Sequence, residues 1–82
     1  MRKNVTLKLE AELEARPIAL LVQTANRFGS KIYLETDGKR VNAKSIMGVM
    51  SLPLTSGESV VLDAEGEDAA DAVEALEVFL RK

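Results

Sequence analysis

The middle of the chain contains the segment Asn42-Ala43-Lys44-Ser45-Ile46-Met47-Gly48-Val49-Met50-Ser51-Leu52. It predicts a short helix with Ser45 at its N-terminus, because serine is a preferred N-cap residue. Five of the seven residues that follow Ser45 are large and apolar. A helix of about two turns buries a face roughly 100° wide, so some of these side chains must point to solvent. The segment therefore predicts an exposed apolar patch beside a serine hydroxyl.

Ser45 itself has two interpretations. Free backbone N–H groups and the helix dipole favour negative charge at a helix N-terminus, so a phosphate on this hydroxyl would be stabilised. Alternatively, Ser45 only accepts a capping hydrogen bond, and the methionines that follow it only fill the core. The segment alone favours the second interpretation, and the rest of the chain is needed to choose.

Length, composition and charge restrict the class of protein. Eighty-two residues, of which 46% are hydrophobic, predict one small globular domain over residues 1–82 and argue against disorder. The formal net charge of −2 argues against nucleic acid as a direct partner. No apolar run approaches the roughly 20 residues of a membrane span, so we expect no membrane association and a cytoplasmic location.

The chain contains no histidine and no cysteine. Histidine is the commonest general base and metal ligand, and cysteine supplies thiolate sites and disulfides. Only carboxylates, lysines and hydroxyls remain for chemistry. We therefore expect no enzymatic activity, no metal site and no cofactor.

Apolar spacing predicts a strand and then a helix in the N-terminal part. Val5, Leu7 and Leu9 alternate with polar residues, which is the period of a strand with one buried face. From residue 15 the apolar side chains recur at spacings of three and four, which indicates an amphipathic helix. Pro17 fits the first turn of this helix, and Gly29 follows its end.

The remaining residues predict three more strands and two more helices. A strand around Tyr33 is connected by the Asp37-Gly38 turn to a returning strand at residues 39–42. The short helix, a fourth strand and a last helix with Asp68 as its N-cap complete the order β-α-β-β-α-β-α. This order predicts an α+β fold, an open-faced β-sandwich with three helices on one face of a four-stranded antiparallel sheet.

Two motifs in this element order closely resemble the HPr family, the phosphocarriers of the bacterial sugar phosphotransferase system. They are Leu13-Glu14-Ala15-Arg16-Pro17 and the segment from Lys44 to Leu52. The resemblance covers roughly residues 5–80 and implies an HPr-like fold. In that family the first motif is Leu-His-Ala-Arg-Pro, and its histidine carries phosphate from enzyme I to sugar-specific transporters.

Glu14 stands where the phosphocarriers have histidine, so no catalytic residue is expected. This departure resembles the regulatory branch, the catabolite-repression HPr homologues (Crh-like proteins), in which glutamine is the usual replacement. The resemblance implies that HPr kinase/phosphorylase phosphorylates Ser45 from ATP. It also implies that the phosphorylated form is a transcription co-regulator that binds the catabolite control protein, a LacI-type regulator.

The resemblance also implies a partner-binding surface made of Glu14, Arg16, Ser45, Ile46, Met47 and Met50. We expect the N-termini of the first two helices to lie side by side, which would put Arg16 at the rim of this surface. Lys44 is near enough in sequence to soften the charge of a phosphate. Glu14 either imitates a negative charge or is merely tolerated at a helix start.

The alternative function is a phosphocarrier of the HPr type that works in phosphoryl transfer, and the absence of histidine weighs against it. We expect a monomer. Because only the short Ala11-Glu12-Leu13 connection joins the first strand to the rest, this strand could also be exchanged between two copies in a homodimer.

Overall fold

The structure is a computed structural model that describes residues 1–7, 15–36, 38–52 and 57–80, with the backbone alone at residues 15–17. Its elements are β1 (Arg2–Thr6), α1 (Ala15–Ala25), β2 (Lys31–Thr36), β3 (Lys39–Asn42), α2 (Ile46–Met50), β4 (Ser59–Glu65) and α3 (Ala69–Leu80). The predicted order and the four-stranded antiparallel sheet with three helices are confirmed.

The strands lie in the order β1-β4-β2-β3, which makes β1 and β3 the edges of the sheet. Arg2 pairs with Asp63, and Thr6 pairs with Ser59. The apolar alternation predicts that the first strand starts at Val5, but β1 begins three residues earlier, at Arg2. The prediction was wrong there because the exposed residues at the start of this edge strand are polar and give no apolar alternation.

The core lies between the sheet and the helices. Inward side chains of β2 and β4 alternate with outward ones, as the period of a strand requires. The largest fully buried side chains come from both the sheet and the helices, and from Leu7 just after β1: Leu7, Leu21, Ile32, Leu34, Leu62, Leu76 and Leu80. The apolar face of α3 is buried at Ala69, Ala72, Val73, Leu76 and Leu80, while Phe79 packs half-buried against the core.

The hairpin between β2 and β3 has the predicted two-residue connection. Thr36 pairs with Lys39, so only residues 37 and 38 lie between the strands. Gly38 has φ +76°, the left-handed conformation that the second central position of a type I′ turn requires. Asp37, the other predicted turn residue, lies outside the described residues.

The face of the sheet away from the helices carries an ion-pair network. Arg2 and Arg40 each place Nη1 2.9 Å from Oδ2 of Asp63. Both also approach Oε2 of Glu35, at 2.8 and 3.3 Å respectively. The hydrogen bond from Arg40, strengthened by the charge of Arg2, lowers the pKa of Asp63, so this carboxylate stays ionised. The Arg40 guanidinium lies 4.1 Å from the ring centroid of Tyr33.

Asp68 connects the loop after α1 to the start of α3. Its carboxylate accepts hydrogen bonds from the backbone N–H groups of Gly29 (2.9 Å) and Ser30 (3.0 Å) and from the Ser30 hydroxyl. Asp68 stands at the predicted N-cap position, and its carbonyl accepts the first helical bond from Ala72. The carboxylate is nevertheless directed across the fold rather than at its own helix, because three donors converge on it there.

Gly66 lies where these two loops pack closely against each other. Its φ is +147°, and a Cβ added at this position would lie 2.8 Å from Cα of Ser30. Both the backbone conformation and the packing against Ser30 therefore require glycine here.

We expect Gly66→Ala to lower the free energy of unfolding by about 1–3 kcal/mol or more, because strain and a backbone clash act together. Gly29→Ala is the matched control, since its added Cβ would have nothing within 4 Å. Urea unfolding of both variants measures the difference. Equal midpoints for the two variants would contradict the packing argument.

Acid is expected to remove the stability that the Asp68 carboxylate contributes. Hydrogen bonds from Ser30 and Gly29 lower its pKa from the ordinary value of 3.8 in the folded state. The contribution is therefore complete above that ordinary value and is lost as the pH falls through the lowered folded pKa. Asp68→Asn should be less stable than the wild type at neutral pH, by a difference that shrinks on acidification. Urea unfolding between about pH 6 and 2 tests this, and a difference that does not change with pH would contradict it.

Candidate functional site

Ser45 caps α2 as the sequence predicts. Its backbone is extended, with φ −109° and ψ 117°, and its Oγ accepts a hydrogen bond from the N–H of Gly48 at 3.2 Å. The carbonyl of Ser45 accepts the first helical bond from Val49 at 3.0 Å. The side chain is exposed, so the hydroxyl serves the helix while it remains accessible to a partner.

The apolar residues of this segment divide between core and surface. Val49 is fully buried and Leu52 is 5% exposed, whereas Ile46, Met47 and Met50 are 45%, 83% and 52% exposed. We call the three exposed residues the docking patch. They begin immediately after the hydroxyl of Ser45, so a charge placed on that hydroxyl would border an apolar surface.

Gly48 is a site residue that the sequence analysis did not single out. A Cβ added there would lie 3.4 Å from both Cβ and Oγ of Ser45 and 3.5 Å from the carbonyl oxygen of Asn42. The absent side chain keeps space beside the serine hydroxyl. A glycine inside a predicted helix was the available signal, because glycine is unfavourable there without a packing or functional reason.

The N-terminus of α2 lies beside the C-terminal end of α1. Nζ of Lys44 donates to the carbonyl of Phe28 at 2.8 Å, and Nδ2 of Asn26 contacts the carbonyl of Lys44 at 3.4 Å. The N-terminus of α1 is about 15 Å away along its axis, at a rise of about 1.5 Å per residue. The expectation that the two helix N-termini lie side by side is therefore wrong.

The sequence suggested that Lys44 would balance charge at Ser45. The structure instead directs the Lys44 amino group away from Ser45. This amino group is held at the Phe28 carbonyl, close to the C-terminal end of α1, where the helix dipole favours a cation. The negative charge on a phosphorylated Ser45 would thus be stabilised mainly by the backbone N–H groups of α2.

The first predicted motif, residues 13–17, lies partly outside the described residues. Glu14 lies outside the described residues, and at Arg16 only the backbone is described, as part of the first turn of α1. Leu20 further along α1 is 48% exposed.

No group of three acidic, histidine or cysteine side chains that could hold a metal ion occurs in residues 1–7, 15–36, 38–52 and 57–80. Within the same ranges no helix has both the length and the apolar character needed to cross a membrane.

Comparison with known proteins identifies the family. The family model described as the PTS HPr component phosphorylation site matches residues 1–82. The HPr-like protein Crh of Halalkalibacterium halodurans is 55% identical over 82 residues, which cover 100% of this chain and 98% of that protein. The HPr-like protein Crh of Bacillus subtilis is 50% identical over 82 residues, which cover 100% and 96% of the two proteins.

Solved structures agree with the sequence comparison. The phosphocarrier protein HPr of Bacillus anthracis matches with a TM-score of 0.93 at 49% identity and covers 99% of this chain and 96% of that one. A crystal structure of Bacillus subtilis Crh, described as a dimer with a swapped domain, matches with a TM-score of 0.78 at 52% identity and covers 93% and 92%. With whole-chain matches to the family model and to these relatives, the chain belongs to the HPr family and is an HPr-like protein of the Crh type.

Proposed function

We propose that this chain is a regulatory protein of carbon catabolite repression, switched by phosphorylation of Ser45. HPr kinase/phosphorylase transfers the γ-phosphoryl group of ATP to Oγ of Ser45, which releases ADP and the hydroxyl proton. The phosphorylated form then binds the catabolite control protein, a LacI-type regulator, as its co-regulator. In this role the chain is a cytoplasmic substrate and binding partner rather than an enzyme.

One observation carries this proposal: an exposed serine hydroxyl borders an exposed apolar patch on the same short helix. Ser45 supplies the position for a charge, and Ile46, Met47 and Met50 supply an apolar anchor. Methionine side chains repack easily, so one patch can serve both the kinase and the regulator. The relation to Crh proteins supports the same function.

Phosphorylation is expected to act locally. The phosphate adds about two negative charges at a position where Oγ already accepts a bond from the first turn of α2. Because the backbone N–H groups there point towards the added oxygens, the phosphate can be held without refolding. The regulator then recognises a fixed anion next to the docking patch.

Glu14 and Arg16 are proposed as further members of the partner surface, as the resemblance to the HPr family implies. A glutamate at residue 14 removes phosphohistidine chemistry whether it imitates a charge or is only tolerated. The alternative function, phosphoryl transfer as an HPr-type carrier, lacks a histidine anywhere in the 82 residues. We therefore prefer the regulatory function.

A homodimer formed by exchange of β1 is also proposed for this chain. It is motivated by the Bacillus subtilis Crh crystal structure, which is described as a dimer with a swapped domain. The position of β1 at the edge of the sheet fits such an exchange, because only one strand must be released.

Incubation with HPr kinase/phosphorylase and ATP should add one phosphoryl group to the wild type and none to Ser45→Ala. Ser51→Ala is the control, since Ser51 is an exposed serine at the other end of α2 whose hydroxyl donates to the Gly48 carbonyl at 2.6 Å. Intact mass spectrometry measures the addition. Loss of phosphorylation in the Ser51 variant, or its persistence in Ser45→Ala, would contradict the assignment.

Met47→Asp should weaken binding of phosphorylated protein to the catabolite control protein by at least roughly tenfold, because the apolar anchor is lost. Stability should be unaffected, since the Met47 side chain is 83% exposed. Val78→Asp is the matched control, because Val78 is an apolar residue of α3 that is 59% exposed. Calorimetric titration with the regulator measures the affinities. Unchanged binding by Met47→Asp, or equal losses in both variants, would mean that the docking patch is not the interface.

A further inference from the structure

We propose that Arg2 and Lys3 form an electrostatic clamp that holds β1 in the sheet and sets the rate at which this strand leaves it. The N-terminal clamp consists of these two cations and their acidic partners Asp63, Glu35 and Glu77. Its consequence for dimer formation rests on the strand exchange proposed above, whereas its effect on the opening of β1 does not.

Apolar burial holds the C-terminal end of β1 but not its start. Among its five residues only Val5 is buried, and Leu7 follows as the next buried side chain. β1 pairs with β4 alone, because it is the edge of the sheet. Segments with few buried apolar side chains open at low free-energy cost, so polar contacts have a large share in retaining the start of this strand at residues 2–4.

Arg2 reaches across two neighbouring strands. Its Nη1 lies 2.9 Å from Oδ2 of Asp63 on β4 and 2.8 Å from Oε2 of Glu35 on β2. The two carboxylate side chains are only 13% and 27% exposed, so water screens these pairs less than it screens a fully exposed ion pair. After release of β1, Arg40 would be the one arginine of this network that still pairs with both carboxylates.

Lys3 holds the strand from the opposite face. Successive side chains of a strand point to opposite faces, so Lys3 lies on the helix side, where its Nζ is 2.8 Å from Oε1 of Glu77 on α3. The start of β1 is therefore tied to the sheet on one face and to α3 on the other. Opening must break both attachments in addition to the backbone pairing.

The clamp raises the free energy of the opened state relative to the closed one, because its contacts are lost on opening. An exchanged strand would meet the same carboxylates on a second copy, so the closed monomer and the exchanged dimer retain equivalent contacts. Only the state in which β1 is detached loses them. The clamp should therefore change the rate of opening and exchange much more than the proportion of dimer.

Native-state hydrogen exchange of Arg2→Gln tests the clamp. We expect the β1 amides to exchange roughly three- to tenfold faster than in the wild type, because this substitution removes two ion pairs of β1 at once. The difference in exchange rate between Arg2→Gln and the wild type should shrink when the salt concentration is raised from about 0.01 M to about 1 M. The reason is that the screening length falls from about 30 to about 3 Å. Lys39→Gln is the matched control, since it removes the same charge from an exposed position at the other edge of the sheet.

Amides of β2 and its partners on β4 report global unfolding in the same experiment. Equal acceleration of β1 and β2 amides, or equal effects of Arg2→Gln and Lys39→Gln, would overturn the clamp. Light scattering of the same samples reports the oligomeric state. A clamp effect in a protein that stays monomeric would refute only the proposed dimer, whereas a dimer without a clamp effect would refute only this inference.

Discussion

Burial of one face of the two central strands is the constraint on which the rest of the structure depends. β4 pairs with both β1 and β2, and its inward side chains Val60, Leu62 and Ala64 are fully buried. Because side chains alternate along a strand, this burial sends the neighbouring residues of β4 to the other face. The helices must then lie on the apolar side, and charged residues collect on the opposite side.

α2 is too short to bury all of its large apolar side chains. This helix has five residues, and only Val49 within it reaches the core. Its other large apolar side chains remain exposed because two turns of helix offer too narrow a buried face. The docking patch is thus a direct result of a short helix with more apolar residues than it can bury. Ser45, which caps the same helix, is exposed next to this patch.

Polar contacts in this fold join elements that are distant in the sequence. Asp68 holds the loop after α1 to the start of α3, and Asp63 joins arginines from β1 and β3. The apolar core determines which faces meet, while these charged groups attach the sheet edges and loops at its margin. The first three residues of β1 are exposed, so polar contacts rather than apolar burial hold the start of that strand.

The sequence by itself determined the types and order of the elements, the two-residue hairpin, the cap at Ser45 and the exclusion of histidine chemistry. These features follow from local patterns: the apolar period reports burial, and Ser45 and Gly38 have backbone preferences of their own. The motif around Ser45 also indicated the family.

Only the tertiary structure decided the strand order, the start of β1 at Arg2 and the direction of the Asp68 carboxylate. It also decided that Ser45 lies beside the C-terminal end of α1. Each of these depends on contacts between residues far apart in the chain, such as Lys44 with Phe28 or Gly29 with Asp68. The energy of such contacts is set by how whole elements pack, and a local pattern of residues carries no record of that geometry.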